Sequence, residues 1–410
     1  MSLTTLLDRL TPGGRVFLPG SAGEPAGLLE ALCAPGAPPL DILSSAVPGI
    51  NPVPLDRLPD GSRFTGLFAH PQTPEVRARG VFRQLPLSYG GFVKHLGSCP
   101  PFDATVVHVA PPDAEGRCSL GPSVEFTELA VRRSRRVLAV VNPRIPALPG
   151  SVSLPLSGFA AWVEQDAPLR GYDVGAPSDQ AAVIAGRIAL FVPDGATLQV
   201  GLGKVPDALM RRLEDRRGLR LFSGLLSDGA RLLAERGCLA GGAPHTACVA
   251  LGSPDFYRWL ADRPDVRVAG CDTTHAAARL AALPRFVAVN SAVSVDLLGQ
   301  ANLEMLDGRM ISGVGGAADF ARAAAIAPDG ISIVALPSVA GRESVSRIVP
   351  RLDGPASLPR HDIDVIVTEH GAADLRGLDM AARARRILQV AAPQHCESLA
   401  AALAETLARL

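Results

Sequence analysis

A short β-branched run, then a glycine-containing turn, then an alanine- and leucine-rich amphipathic stretch recur in that order along this chain, and this order restricts its fold more than any other feature. Parallel strands buried on both faces read as continuous apolar runs, and each needs a crossover helix to reach the next. The expected fold class is therefore α/β with mostly parallel sheets. Residues 15–19 predict a strand, 20–23 a turn and 25–32 a helix with proline in its first turn. Residues 105–109 and 137–141 predict further buried strands. Residues 143–175 are rich in proline and glycine without a long periodic stretch, which predicts a linker or a winding connection.

The same grammar restarts after Gly175. Residues 178–191 carry helical apolar spacing, 197–200 predict a strand, and the turn at 201–203 leads into a helix from about Pro206 to Leu213. Later strands are expected at 266–269, 286–289, 331–336 and 364–368. Two halves built alike point to two similar α/β domains, residues 1–175 and 176–410. No short-period repeat is present, so the duplication rests on element order alone.

Bulk properties narrow the function. The chain has 410 residues, long enough for two or three ordinary domains. Forty basic residues balance forty acidic ones, so no overall field draws it to nucleic acid or to an anionic membrane. Lys94 and Lys204 are the only lysines, a bias that reads as codon usage rather than function. Seven scattered cysteines without a C-x-x-C pair argue against a disulfide scaffold and a structural zinc site. No apolar run reaches the length of a membrane helix and the first residues do not form a signal peptide, so a cytoplasmic location is expected.

Four stretches could carry chemistry. Gly201-Leu202-Gly203-Lys204-Val205-Pro206 follows an expected strand and precedes a helix, so its N–H groups could hold a phosphate or an oxyanion. A tight turn using glycine only for its backbone freedom explains it too, and neither the dinucleotide fingerprint nor the P-loop ending is present. Ile311-Ser312-Gly313-Val314-Gly315-Gly316 has three glycines ahead of an alanine-rich helix, again either a ligand approach or a packing device. Cys118, in the polar turn after a buried strand, would need a base to become a nucleophile and has none beside it in sequence. His370 sits at the carboxyl end of the last expected strand, where ligands bind in open α/β sheets; it reads as a general base or as a hydrogen-bonded structural histidine.

Together with Gly20-Ser21-Ala22-Gly23-Glu24-Pro25, Asn142-Pro143-Arg144-Ile145-Pro146, Ser227-Asp228-Gly229, Ser346-Arg347-Ile348-Val349-Pro350 and residues 368–377, these segments resemble the acetyl-CoA hydrolase/transferase family, in its order and at similar spacing. The resemblance spans nearly the whole chain. It implies two α/β/α domains, coenzyme A or an acyl-CoA as substrate with no tightly bound cofactor, and a homodimer or higher homo-oligomer. It also implies that Gly201, Leu202, Gly203, Lys204 and Val205, with Ser312, Gly315 and Gly316, line the CoA thioester and supply the oxyanion hole. Arg342 falls near a position that would face the CoA phosphates.

In that family a glutamate attacks the thioester carbonyl and then carries CoA as a glutamyl thioester, which splits one hard transfer into easier steps. It lies in a stretch resembling T-E-x-x-S-D-G. Here the stretch reads Phe222-Ser223-Gly224-Leu225-Leu226-Ser227-Asp228-Gly229, so the nucleophile position is Gly224, and a one-residue slip reaches only Ser223 or Leu225. Three readings follow. The chain is an acyl-CoA hydrolase or transferase that does without a glutamyl intermediate, with water or another acceptor attacking directly and Asp228, Glu304 or His370 as base, or Ser223 as nucleophile. Alternatively it is an inactive CoA-binding or partner-binding subunit, since fold alone does not imply function. A sugar-phosphate isomerase or regulator on the same kind of sheet is the more distant third.

Overall fold

A computed structural model describes residues 2–341 and 344–408. The chain divides into two compact units. The first comprises residues 1–173, 225–228 and 242–274, and the second residues 174–224, 229–241 and 275–410. Segments 225–228 and 242–274, which a division at Gly175 leaves in the C-terminal half, thus belong to the first unit.

The first unit holds a seven-stranded sheet in the order Phe82–Gln84, Arg63–Gly66, Asp41–Ser44, Arg15–Leu18, Ala104–Val109, Val137–Val141, Ala161–Glu164. Every neighbouring pair is parallel. All six residues of Ala104–Val109 are buried, as a central parallel strand covered on both faces requires. The apolar core on one side joins Val16, Leu18, Ile42, Phe64, Val106, Leu138 and Val140 to Leu28, Leu29 and Leu32. The expected helix at 25–32 shortens to Leu28–Ala31, preceded by a 3₁₀ turn at Ser21–Gly23.

Residues 143–175 differ from the linker expected of them. They contain the strand Ser153–Pro155 and the sheet-edge strand Ala161–Glu164, of which only Val163 is buried. One buried side chain in four residues leaves no periodic signal to read. Segment 242–274 adds the strand His245–Ala247, parallel to Val266–Val268.

The second unit holds a six-stranded sheet in the order Arg220–Leu221, Thr197–Val200, Phe286–Ser291, Ile331–Ala335, Val365–Thr368, Gly371–Asp374. Only the last strand is antiparallel to its neighbour. Helix Asp179–Ala189 starts where Ser178 Oγ accepts the Ala181 N–H, and it buries Ala181, Ile184, Ala185 and Ile188 at helical spacing. Helix Ala317–Ile326 lays Phe320, Ala323 and Ala324 against Phe222, Phe286 and Ala288. The fold class is α/β, built on two mostly parallel sheets. No helix among the described residues is long and apolar enough to cross a membrane, and none of the cysteines is in a disulfide.

Candidate functional site

In the second unit the carboxyl ends of three strands carry the residues singled out in sequence. Thr197–Val200 is buried throughout and ends at Gly201, and Gly203 then takes φ +126°, a backbone state closed to residues with a side chain. Helix Lys204–Arg212 begins there, with Lys204 exposed and Leu202 and Val205 half-buried. The turn that follows the short strand Arg220–Leu221 is tied to the same place: Ser223 Oγ donates to the Val200 carbonyl at 2.9 Å. Ser223 is 1% exposed, so its hydroxyl acts as a strut between two strand ends.

Gly224 comes next, and the backbone does not demand glycine there. Its φ lies outside the left-handed region, and a β-carbon would stand 3.5 Å from Phe320 Cε2 and 3.6 Å from His275 Nε2, ordinary contact distances. The main chain at 224 could therefore carry a side chain. The space such a side chain would enter is faced by the His275 imidazole and the Phe320 ring, whose centroids lie 4.6 Å apart.

Gly316 is the opposite case. A β-carbon there would fall 2.4 Å from His275 Nε2 and 2.8 Å from its Cδ2, so glycine is what admits the imidazole against the loop. Gly315, with φ +56°, makes the preceding turn. Ser312 donates its N–H to the Glu304 carbonyl at 3.2 Å. Gly316, Gly224, Phe320 and the ring of His275 are thus one cluster. Burial holds His275 neutral, pushing its pKa down to about 3.

The other expected bases are committed elsewhere. Within the first unit, Asp228 accepts from the Ser253 N–H at 2.8 Å and from Ser253 Oγ at 2.5 Å, fixing the start of helix Pro254–Ala261. Glu304 accepts from Ser357 Oγ at 2.6 Å. His370 donates its N–H to Thr368 Oγ1 and has Nε2 3.6 Å from Glu369 Oε1. Burial alone would raise the Glu369 pKa, but hydrogen bonds from Ser338 and Gln180 hold it below the usual carboxylate value. Cys118 is buried, and that burial raises its thiol pKa, as in an unreactive cysteine. Arg342 lies outside the described residues.

The first unit contains a site that sequence reading passed over as a turn. Glu125 is buried and accepts from Ser21 Oγ at 2.8 Å and Ser45 Oγ at 3.2 Å. Burial pushes its pKa up to about 7, against the pull of both serines. Neither Glu125 (φ +39°) nor Ser21 (φ +49°) is glycine, yet both occupy the left-handed region, and such strain persists where the surroundings fix it. Those surroundings are visible: Asn51 Oδ1 accepts the Ser21 N–H at 2.7 Å, and the Glu125 carbonyl takes the Cys271 N–H at 2.7 Å. Asn51 also donates to Glu24, which pairs with Arg170 at 2.6 Å. Burial nevertheless leaves the Glu24 pKa above its ordinary value.

His275 and Glu125 are the two titratable groups that sequence reading missed. Nothing near either marks it, and both become conspicuous only through residues distant in the chain.

Residues 252–403 match the acetyl-CoA hydrolase/transferase C-terminal domain. The chain is 34% identical over 307 residues to the 4-hydroxybutyrate coenzyme A transferase of Clostridium kluyveri, covering 73% of this chain and 72% of that one. It is 29% identical over 410 residues to a succinyl-CoA:acetate/propanoyl-CoA:succinate CoA transferase of Fasciola hepatica, covering 95% and 84%. Among solved structures, RipA from Yersinia pestis superposes with a TM-score of 0.88 at 28% identity over 99% of both chains. With the fold and the collinear segments, these similarities establish that the chain belongs to the acetyl-CoA hydrolase/transferase family.

Proposed function

We propose that this chain is an acyl-CoA-dependent enzyme that opens the thioester by direct attack of water or another acceptor, without a glutamyl-CoA intermediate. The observation that carries this reading is Gly224. It stands where the family's motif has its nucleophile, in a backbone conformation that would accept a side chain. Support comes from the two loops assigned to the thioester: Gly201, Leu202 and Gly203 follow strand Thr197–Val200 and lead into Lys204 and Val205 at the start of helix Lys204–Arg212, and Ser312, Gly315 and Gly316 precede helix Ala317–Ile326. Backbone N–H groups at a helix start are fitted to a developing oxyanion.

In this reading Ser223 holds the Gly224 turn against the end of strand Thr197–Val200, Asp228 serves the Ser253 turn, and His370 stays exposed at the end of strand Val365–Thr368. Coenzyme A enters as substrate and leaves as product, with no resident cofactor. Clostridium kluyveri and Fasciola hepatica relatives are described by short acyl groups and carboxylates, so these are the first substrates to offer. The working protein is a cytoplasmic homodimer or higher homo-oligomer of two-domain subunits, with no nucleic-acid or membrane partner.

The test is a purified sample given acetyl-, propionyl-, butyryl- and succinyl-CoA, with and without carboxylate acceptors, then reduced with borohydride. Release of CoA with no borohydride-trapped adduct on the protein is expected. CoA bound without turnover contradicts the reading and makes the chain an inactive binding subunit.

A further inference from the structure

We propose that the first unit holds a binding site for a phosphate group, free as the ion or borne by a small polar molecule, in a pocket lined by Arg63, Arg79 and Arg83. The ligand is a second one, distinct from the thioester, and the site stands whether or not the chain hydrolyses acyl-CoA.

The pleat of the sheet places the charges. In the parallel register Phe64 pairs with Phe82 and Thr65 with Arg83. Successive residues of a strand face opposite sides of the sheet, and paired residues share a side. Phe64 is buried in the core of the first unit and Phe82 packs against that core, so Arg63 and Arg83 take the other side, where both are exposed. Arg79 joins them from the last turn of helix Pro74–Arg79. Its guanidinium is held by the loop before Arg63: Nη1 donates to the Asp56 carbonyl at 3.0 Å, and Nη2 to the Leu58 carbonyl at 2.7 Å and to Asp60 Oδ1 at 3.1 Å. The cavity so formed, at the amino ends of strands Arg63–Gly66 and Phe82–Gln84, has a volume of about 390 Å³, the size of a small-molecule site.

The donors that line it select the ligand. Three guanidinium groups face one carboxylate, that of Asp60, which is already taken by Arg79. Arg63 has Asp41 Oδ1 at 3.9 Å, beyond hydrogen-bond reach, and Arg83 has no ion-pair partner among the described residues. Ser62 lines the same cavity and is 6% exposed; its Oγ accepts the Leu40 N–H at 3.3 Å, which leaves the hydroxyl proton to donate. Planar guanidinium forks with a hydroxyl donor between them suit the several oxygens of a phosphate. Val81 carries the only apolar side chain among the described lining residues, so a body attached to that phosphate is polar and not an acyl chain.

The experiment titrates the wild-type chain by calorimetry with inorganic phosphate, glycerol 3-phosphate and ribose 5-phosphate. It repeats this on Arg63→Gln and Arg83→Gln, with CoA affinity and thermal melting measured for each. Saturable binding with a Kd below about 1 mM is expected. Each variant should bind roughly tenfold more weakly, since each loses a charge-assisted contact, with CoA affinity and melting unchanged. Tighter binding of an ester than of inorganic phosphate identifies a phosphorylated molecule as the occupant, and the reverse order identifies the free ion. No saturation by about 10 mM of any of the three, or wild-type affinity in both variants, overturns the site. A parallel loss of CoA affinity also overturns it, because the arginines would then belong to the coenzyme's own site.

Discussion

Nε2 of His275 lies 3.6 Å from the point where a β-carbon on Gly224 would stand, close enough to share a face with it and far enough to leave that carbon room. A side chain at 224 is therefore a question of chemistry and not of backbone. Gly224→Ala is expected to fold normally and to gain about 0.4–1 kcal/mol in stability from the smaller entropy of its unfolded chain, as measured by urea denaturation.

Gly224→Glu extends the test from fold to reaction. The added carboxylate must pass Phe320 and His275, so some loss of thermal stability is expected. Transferase activity towards a carboxylate acceptor should appear, together with a borohydride-trapped glutamyl thioester visible as a mass shift. A stable variant with neither gain would mean that 224 is not the nucleophile position.

Gly316 makes the reverse prediction. With the β-carbon 2.4 Å from Nε2, Gly316→Ala must displace the imidazole or the loop. Overpacking of this kind costs about 1–3 kcal/mol. Thermal melting should show that loss, and CoA release should fall with it, since the displaced loop is the one proposed to line the thioester. An alanine variant with full stability and activity would show that the ring and the loop are not held together as described.

The segments that sequence reading recovered share one property: burial strong enough to write itself into composition. Ala104–Val109, Thr197–Val200 and Ile331–Ala335 are buried along their whole length and read as apolar runs. Asp41–Ser44, Arg63–Gly66 and Ala161–Glu164 went unread because four residues without a run of β-branched side chains are too short to stand out, and Ala161–Glu164 buries a single side chain. The same contrast divides the site. Glycines at 201, 203, 315 and 316 follow a strand or precede a helix, and that placement is legible from sequence. Ser21 and Glu125 meet across 104 residues, and His275 meets Gly224 and Phe320 although neither is its neighbour in sequence. Tertiary juxtaposition of that kind has no local signal.

Glu125 yields a prediction about pH. Its carboxyl has a pKa of about 7 in the folded chain against an ordinary value of 4.5, so the native state binds the extra proton between those values. Stability is then undiminished below about 4.5, declines as pH rises towards 7, and stays lowered above it, by about 3 kcal/mol for a shift of this size. Glu125→Gln, which keeps an acceptor for Ser21 and Ser45, should melt above wild type at pH 8, and the gap should close by pH 4.5. A gap that widens in acid would mean that the carboxylate is the favoured buried form.

Water as the attacking group is the claim on which the rest depends, and one turnover in ¹⁸O-labelled water reads it directly. With enzyme in excess over acyl-CoA, direct attack places one ¹⁸O in the released acid during the first turnover. A glutamyl route would instead give the acid an unlabelled oxygen from the protein in that turnover. Labelled acid is the predicted result; unlabelled acid, with CoA held covalently on the chain, would contradict it.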